Sequence, residues 1–110
     1  MKIHNLRHLS GNTSTAALLE RGIVRVDRET EWGNPYPKGR RFGSRAEVIE
    51  RYRRHLWDRV RSGDLDLDRL AALDGRDLAC WCAPLPCHAE VLARAARWAA
   101  KRLEKSSATP

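Results

Sequence analysis

Three short stretches of the chain have the apolar pattern of β-strands. Residues 2–6 alternate apolar and polar side chains, and residues 23–26 are β-branched at three of four positions. Residues 78–82 form a short apolar run. The pattern therefore predicts three strands, separated by longer segments of other character.

Two of those segments have apolar residues spaced at three and four positions, which predicts amphipathic helices. The first begins with a capping box, in which Ser44 is the N-cap residue and Glu47 follows three positions later. The second covers residues 89–103. Shorter helical segments are predicted at residues 15–21 and 64–73, each followed within two residues by a glycine.

The order of these elements is strand, short helix, strand, loop, helix, short helix, strand, helix. Such alternation predicts an α/β fold with a short, mostly parallel sheet packed by helices, as in a Rossmann-like layer. A chain of 110 residues is enough for one modest core. We therefore predict a single domain over residues 1–104 and a disordered tail over residues 105–110.

The charge balance adds a prediction about partners. Lysine and arginine number 21 against 14 aspartates and glutamates, a formal net charge of +7. This excess favours an anionic partner, namely a nucleotide, another phosphorylated small molecule or a nucleic acid, although a solvated basic surface is the alternative. No apolar run approaches the ~20 residues that span a bilayer, so we expect a cytoplasmic protein without a membrane partner.

All three cysteines lie in residues 80–87, between the last predicted strand and the last predicted helix. An odd number at close spacing favours thiol chemistry or metal binding over a disulfide framework. Strand alternation would place Cys80 and Cys82 on one face. Adding Cys87 and His88 completes a set of four zinc ligands, although the spacing differs from that of the usual zinc knuckle.

Two other interpretations of this segment stay open. Cys87 would lie at a helix N-terminus beside His88, where a thiolate is favoured, and would act as a nucleophile with His88 as general acid or base. Alternatively, the cysteines are small buried residues that only pack beneath the helix.

The loop after the second strand carries Trp32 and Asn34. The indole offers a flat face for a base, and the amide can bond a base edge or set a turn. An aromatic ring among cations is typical of nucleotide and single-strand sites, whereas a tryptophan filling the core is the alternative. The nearby cations are Arg25, Arg28, Lys38, Arg40 and Arg41.

The chain carries WGNP at residues 32–35 and CWCAPLPCH at residues 80–88, with Asn5, Arg45 and Tyr52 at further matching positions. In this pairing it resembles a family of small bacterial and phage proteins classed as a domain of unknown function. The family usually has Gly-Arg before WGNP, whereas this chain has Asp27 and Arg28 followed by a three-residue spacer. The resemblance implies that distant polar residues form one set: Asn5, Arg28, Trp32, Asn34, Arg45, Cys80, Cys82, Cys87 and His88.

By analogy with small α/β proteins that gather such a set, we expect an enzyme that acts on a nucleotide or nucleoside as a hydrolase, glycosidase or transferase. The predicted catalytic residues are Cys87 and His88, with phosphate at the N-terminus of the last helix. A zinc-stabilised nucleic-acid-binding module without catalysis and a basic adaptor protein are the alternatives. The predicted ligand-binding residues are Asn5, Arg28, Trp32, Asn34, Arg45 and Cys82.

Overall fold

The computed structural model describes residues 2–35, 43–81 and 87–107. Its elements confirm the predicted order of strands and helices. Within these ranges no helix combines the length and the apolar character needed to cross a membrane. The elements are β1 (Ile3–Asn5), a 3-10 turn (Leu6–His8), α1 (Thr15–Glu20), β2 (Ile23–Arg25), α2 (Arg45–Ser62), α3 (Leu67–Ala71), β3 (Asp77–Cys80) and α4 (His88–Ser107).

The sheet has β3 at its centre, with β1 on one side and β2 on the other, and both pairs are parallel. Leu78 of β3 lies opposite Ile3 of β1 and Val24 of β2. This arrangement confirms the predicted α/β fold with a short parallel sheet. Because all three strands run the same way, they end together at one side of the sheet, the carboxyl edge, where ligands usually bind in such folds.

Side chains on the two faces of β3 are buried in two separate hydrophobic cores. Leu78 and Cys80 are buried in the larger core, which α2, α3 and α4 complete. Ala79 points to the other face and packs in the smaller core with Leu18 of α1. This is the side-chain alternation of a strand, so helices cover both faces of the sheet. It also directs the Cys80 thiol to the face that carries α4.

The capping signals predicted for α2 are present. Ser44 Oγ accepts a hydrogen bond from the Glu47 N–H, and the Glu47 carboxylate accepts one from the Ser44 N–H. The helix ends at Gly63, whose φ of 82° is in the left-handed region that favours glycine. Local capping chemistry therefore determines both ends of the longest predicted helix in the middle of the chain.

Two predicted boundaries were wrong. β3 ends at Cys80 rather than at residue 82, and Cys82 lies outside the described residues. α4 extends from His88 to Ser107, beyond the predicted helix over residues 89–103. Residues 104–107 contain no glycine or proline to stop the helix. Residues 108–110 lie outside the described ranges.

A tight turn follows β2 and begins the WGNP segment. The Thr30 N–H donates to the Asp27 carbonyl, and the Gly33 N–H donates to the Thr30 carbonyl. A side chain at Gly33 would place its Cβ 2.5 Å from Arg28 Cα and 2.6 Å from the Asp27 carbonyl oxygen. Glycine is therefore required here by a close backbone approach. Residues 36–42, which include the predicted loop cations Lys38, Arg40 and Arg41, lie outside the described ranges.

Candidate functional site

A cleft of about 450 Å³ lies between the beginnings of α2 and α4. The N-terminus of a helix carries a partial positive charge, and the first turns of both helices contribute residues to this region. We call this space the cleft throughout. Its lining residues are Arg45, Ala46 and Ile49 from α2, with Cys87, Glu90, Val91 and Arg94 from the start of α4.

Cys87 is the residue immediately before α4, and it is 4% exposed. Its Sγ accepts a hydrogen bond from the Ala89 N–H at 3.4 Å. A backbone donor at the start of a helix favours the anionic form of a thiol. The structure therefore places Cys87, whose sulfur accepts one backbone hydrogen bond, among the residues that line the cleft.

Arg94 reaches the same cleft because of helical spacing. Val91 and Arg94 follow Cys87 by four and seven positions, which places all three on one side of α4. Arg94 is exposed, and with Arg45 it provides two positive charges against the single negative charge of Glu90. Arg94 was not predicted from the sequence, although its distance of seven residues from Cys87 was the available signal.

Cys80 and Cys87 lie side by side, with their Sγ atoms 3.1 Å apart. Two thiolates bound tetrahedrally to one zinc ion, with Zn–S bonds of about 2.3 Å, would be roughly 3.8 Å apart. Within the described ranges, no group of three or more His, Cys, Asp or Glu side chains has the arrangement of a metal site. The structure thus brings together two of the four predicted zinc ligands.

His88 is turned away from the cleft. Its Nε2 lies 2.5 Å from the Val26 carbonyl oxygen, and its ring packs edge-on against Tyr52 with centroids 4.9 Å apart. Burial lowers the pKa of His88, so the neutral ring donates its Nε2–H to that carbonyl. This bond fixes the start of α4 against the end of β2. The predicted pair Cys87 and His88 is therefore divided between two environments.

Trp32 lies in the larger core and is 8% exposed. The Tyr52 hydroxyl donates a hydrogen bond to the Trp32 carbonyl at 2.9 Å, which fixes the turn onto α2. Of the two interpretations of this tryptophan, the structure therefore favours a residue that fills the core. The stacking face predicted for a base is not open at Trp32.

Three further predicted ligand-binding residues hold loops together. The Asn5 side chain accepts from the Arg7 N–H and donates to the Trp81 carbonyl. Arg28 Nε donates to the Asn34 carbonyl, and Asn34 Nδ2 donates to the Val48 carbonyl at 3.4 Å. Of the predicted site residues that the structure describes, Arg45 and Cys87 line the cleft.

A second polar group at the carboxyl edge was missed by the sequence analysis. Arg25 makes two hydrogen bonds to the Asp27 carboxylate at 2.8 and 2.9 Å, and Trp81 Nε1 donates to the same carboxylate at 3.0 Å. We call Arg25, Asp27 and Trp81 the carboxyl-edge cluster. Its signal was the spacing of Arg25 and Asp27, because residues two apart along an extended strand share a face.

The charges of this cluster are mutually stabilised. Burial alone would raise the pKa of Asp27, but the hydrogen bonds from Arg25 and Trp81 and the positive charge of Arg25 outweigh it. The pKa of Asp27 is therefore lowered below its ordinary value. The Asp27 hydrogen bond in turn raises the pKa of Arg25. Arg25 also donates to the Thr13 carbonyl, so the cluster connects the loop before α1 with the ends of β2 and β3.

The fold and the site define a small parallel α/β domain with a basic, cysteine-containing cleft between two helix N-termini. The chain belongs to the family described as "Domain of unknown function (DUF4326)", which matches residues 10–98. This membership confirms the resemblance stated from the sequence.

A relative from Enterobacteria phage T4, "Uncharacterized 12.4 kDa protein in nrdA-td intergenic region", is 37% identical to the chain over 70 residues. The match covers 64% of this chain and 63% of the phage protein. No solved structure matches the chain.

Proposed function

We propose that the protein is an enzyme that binds a phosphorylated nucleotide in the cleft and uses Cys87 as a nucleophile. The observation that supports this most directly is that Cys87 lines a cleft that is also lined by Arg45 and Arg94. Two cations and a stabilised thiol around one open space suit an anionic, electrophilic ligand.

Phosphate recognition follows from the charges that line the cleft. Guanidinium groups bind phosphate oxygens through paired N–H donors, and the N-termini of α2 and α4 add to the positive potential. The side chains of Ile49 and Val91 form an apolar part of the wall. A nucleotide has both features, since its phosphates need cations and its sugar and base bury apolar surface.

The chemical step assigned to Cys87 is nucleophilic substitution. The thiolate forms a bond to an electrophilic phosphorus or carbon atom of the nucleotide, and the leaving group departs with the bonding electron pair. Water or an acceptor hydroxyl then displaces the sulfur, loses its proton to solvent or to the departed leaving group, and regenerates the thiolate. Hydrolase and transferase activities differ only in this second acceptor.

The binding step is tested by titrating nucleoside mono-, di- and triphosphates into the protein and measuring heat. Arg94→Gln should weaken binding about 10- to 100-fold, because a hydrogen bond to a charged group is lost. Arg76→Gln removes the same charge from an exposed residue outside the cleft and should leave the affinity unchanged. Equal effects of the two substitutions would contradict phosphate binding at Arg94.

The chemical step is tested by iodoacetamide labelling followed by peptide mapping. Bound nucleotide should slow alkylation of Cys87, and Cys80, which is 1% exposed, should react more slowly than Cys87 in either condition. Cys87→Ser should retain nucleotide binding and lose turnover. Full turnover by Cys87→Ser would show that the sulfur is not the nucleophile.

A further inference from the structure

A row of cations continues from the cleft along the exposed side of α4. Arg94, Arg97 and Lys101 follow one another at intervals of three and four residues, so they share one side of the helix over about 10 Å. We call these three residues the α4 stripe. All three are exposed, and in the described part of the chain none of them forms an ion pair. Glu90 and Glu104 bound the stripe at its two ends.

The arginines of α2 differ from this stripe. Arg53 and Arg54 both contact the Glu50 carboxylate, and Arg61 contacts Asp58. These ion pairs engage three of the arginines of α2. The α4 stripe forms no such pair within the described ranges, and it begins at the cleft.

An aromatic ring lies beside the stripe. Trp98 follows Val91 and Arg94 by seven and four residues, so it occupies the next position on the side of α4 that lines the cleft. Its side chain is 38% exposed, and Trp57 of α2 supports it edge-on with ring centroids 4.7 Å apart. The Arg102 guanidinium lies 5.7 Å from the Trp98 ring centroid.

We propose that α4 binds a single strand of nucleic acid, with phosphates on Arg94, Arg97 and Lys101 and an unpaired base against Trp98. A single strand requires cations along one line for its phosphates and an aromatic ring beside them for a base. A base can stack on such a ring only when it is unpaired. This proposal rests on the proposed function for the terminal nucleotide, which would occupy the cleft. The substrate class is then a polynucleotide whose terminal nucleotide the cleft binds.

The test uses the full chain and a fluorescent oligonucleotide of about 12 nucleotides, within the site sizes of single-strand binders. Oligothymidylate and oligouridylate are titrated by fluorescence anisotropy between about 50 and 200 mM salt. The three contacts of the α4 stripe should contribute about −2 to the slope of log affinity against log salt. The double variant Arg97→Gln with Lys101→Gln should make the slope shallower by about 1.4 and leave mononucleotide binding unchanged.

The matched control is Arg51→Gln with Arg76→Gln, which removes two exposed positive charges outside the stripe. It should preserve the salt slope. Trp98→Ala should weaken oligonucleotide binding about 5- to 100-fold. Trp98→Tyr should restore most of the affinity. The comparison of these two variants separates base stacking from any loss of packing against Trp57. The melting temperature of each variant is measured alongside.

The outcomes separate this proposal from the proposed function. The α4 proposal is overturned if mononucleotides bind tightly and the oligonucleotide binds no more tightly than they do. It is also overturned if the stripe and control variants have equal salt slopes. Both results leave the cleft function standing. Oligonucleotide binding that depends on the stripe while mononucleotides fail to bind supports the α4 proposal and removes the cleft function. Absence of binding to every probe overturns both.

Discussion

Two polar regions extend from adjacent residues at the end of β3, and they differ in how their charges are satisfied. Trp81 leads to the carboxyl-edge cluster, where Arg25 and Asp27 neutralise each other with side chains 10% and 9% exposed. Cys80 contacts Cys87 at the cleft, where the positive charges of Arg45 and Arg94 outnumber the negative charge of the lining residues. The charged groups of the first region are buried and bond to each other, whereas the second region is open to solvent.

This difference separates a structural role from the proposed binding role. A buried charge pair whose hydrogen bonds are all made within the protein has little left to offer a ligand. An exposed cation in a cleft adds little to folding, but it can attract an anion. The carboxyl-edge cluster should therefore determine stability, and the cleft should determine ligand affinity.

The largest effect is expected from Asp27→Asn. The substitution keeps the size of the side chain but removes the carboxylate that accepts two hydrogen bonds from the buried Arg25 guanidinium. The exposed Glu29 carboxylate, 3.5 Å away, is then its remaining counter-charge, and the loss of unfolding free energy is up to about 3–5 kcal/mol. Urea denaturation measures this loss. Asp58→Asn is the matched control, because Asp58 pairs with Arg61 on the open surface and should cost less than about 1 kcal/mol. Similar losses of unfolding free energy in the two variants would show that the carboxyl-edge cluster does not hold these segments together as described above.

The sequence predicted those parts of the fold that depend on local chemistry. The beginning and end of α2 follow from Ser44, Glu47 and Gly63, which act on neighbouring backbone groups. The parallel sheet followed from the alternation of strands and helices, but its strand order depends on pairings between residues more than 50 positions apart. Nothing in the local sequence states that β3 lies between β1 and β2.

The site was predicted only in part for the same reason. Cys87 and Arg45 were identified from a cysteine-rich loop and a resemblance, and both line the cleft. Trp32 was open to two interpretations, since its burial depends on Tyr52, 20 residues further along the chain. Arg94 was missed because one arginine on an exposed helix face is ordinary until the opposing helix closes a cleft in front of it.

A smaller effect is expected from acidification, through His88. Burial lowers its pKa, with the Arg28 charge acting in the same direction, while the Val26 carbonyl and Asp27 oppose them. The unfolded chain therefore binds this proton at a higher pH than the folded chain. The contribution to stability is complete above about pH 6.5 and is lost as the pH falls through the folded-state pKa. Each unit of lowering is worth about 1.4 kcal/mol.

Urea denaturation of the wild type between about pH 7.5 and pH 5.5 should show this decline. His88→Gln keeps a side-chain N–H donor for the Val26 carbonyl but cannot titrate, so its stability should fall less steeply. His8→Gln, at an exposed residue of the 3-10 turn, should retain the wild-type slope. A wild-type slope in His88→Gln would assign the pH dependence to other groups.

The smallest effect on stability is expected from Arg94→Gln, although the same substitution should have a large effect on nucleotide affinity. Arg94 is exposed and, within the described residues, takes part in no ion pair, so its loss should change the unfolding free energy by less than about 0.5 kcal/mol. Thermal denaturation without ligand measures this change. Excess nucleotide should then stabilise the wild type by mass action and stabilise Arg94→Gln much less. A loss of more than about 1 kcal/mol in the ligand-free protein would make Arg94 a structural residue like Arg25, and the contrast between the two regions would fail.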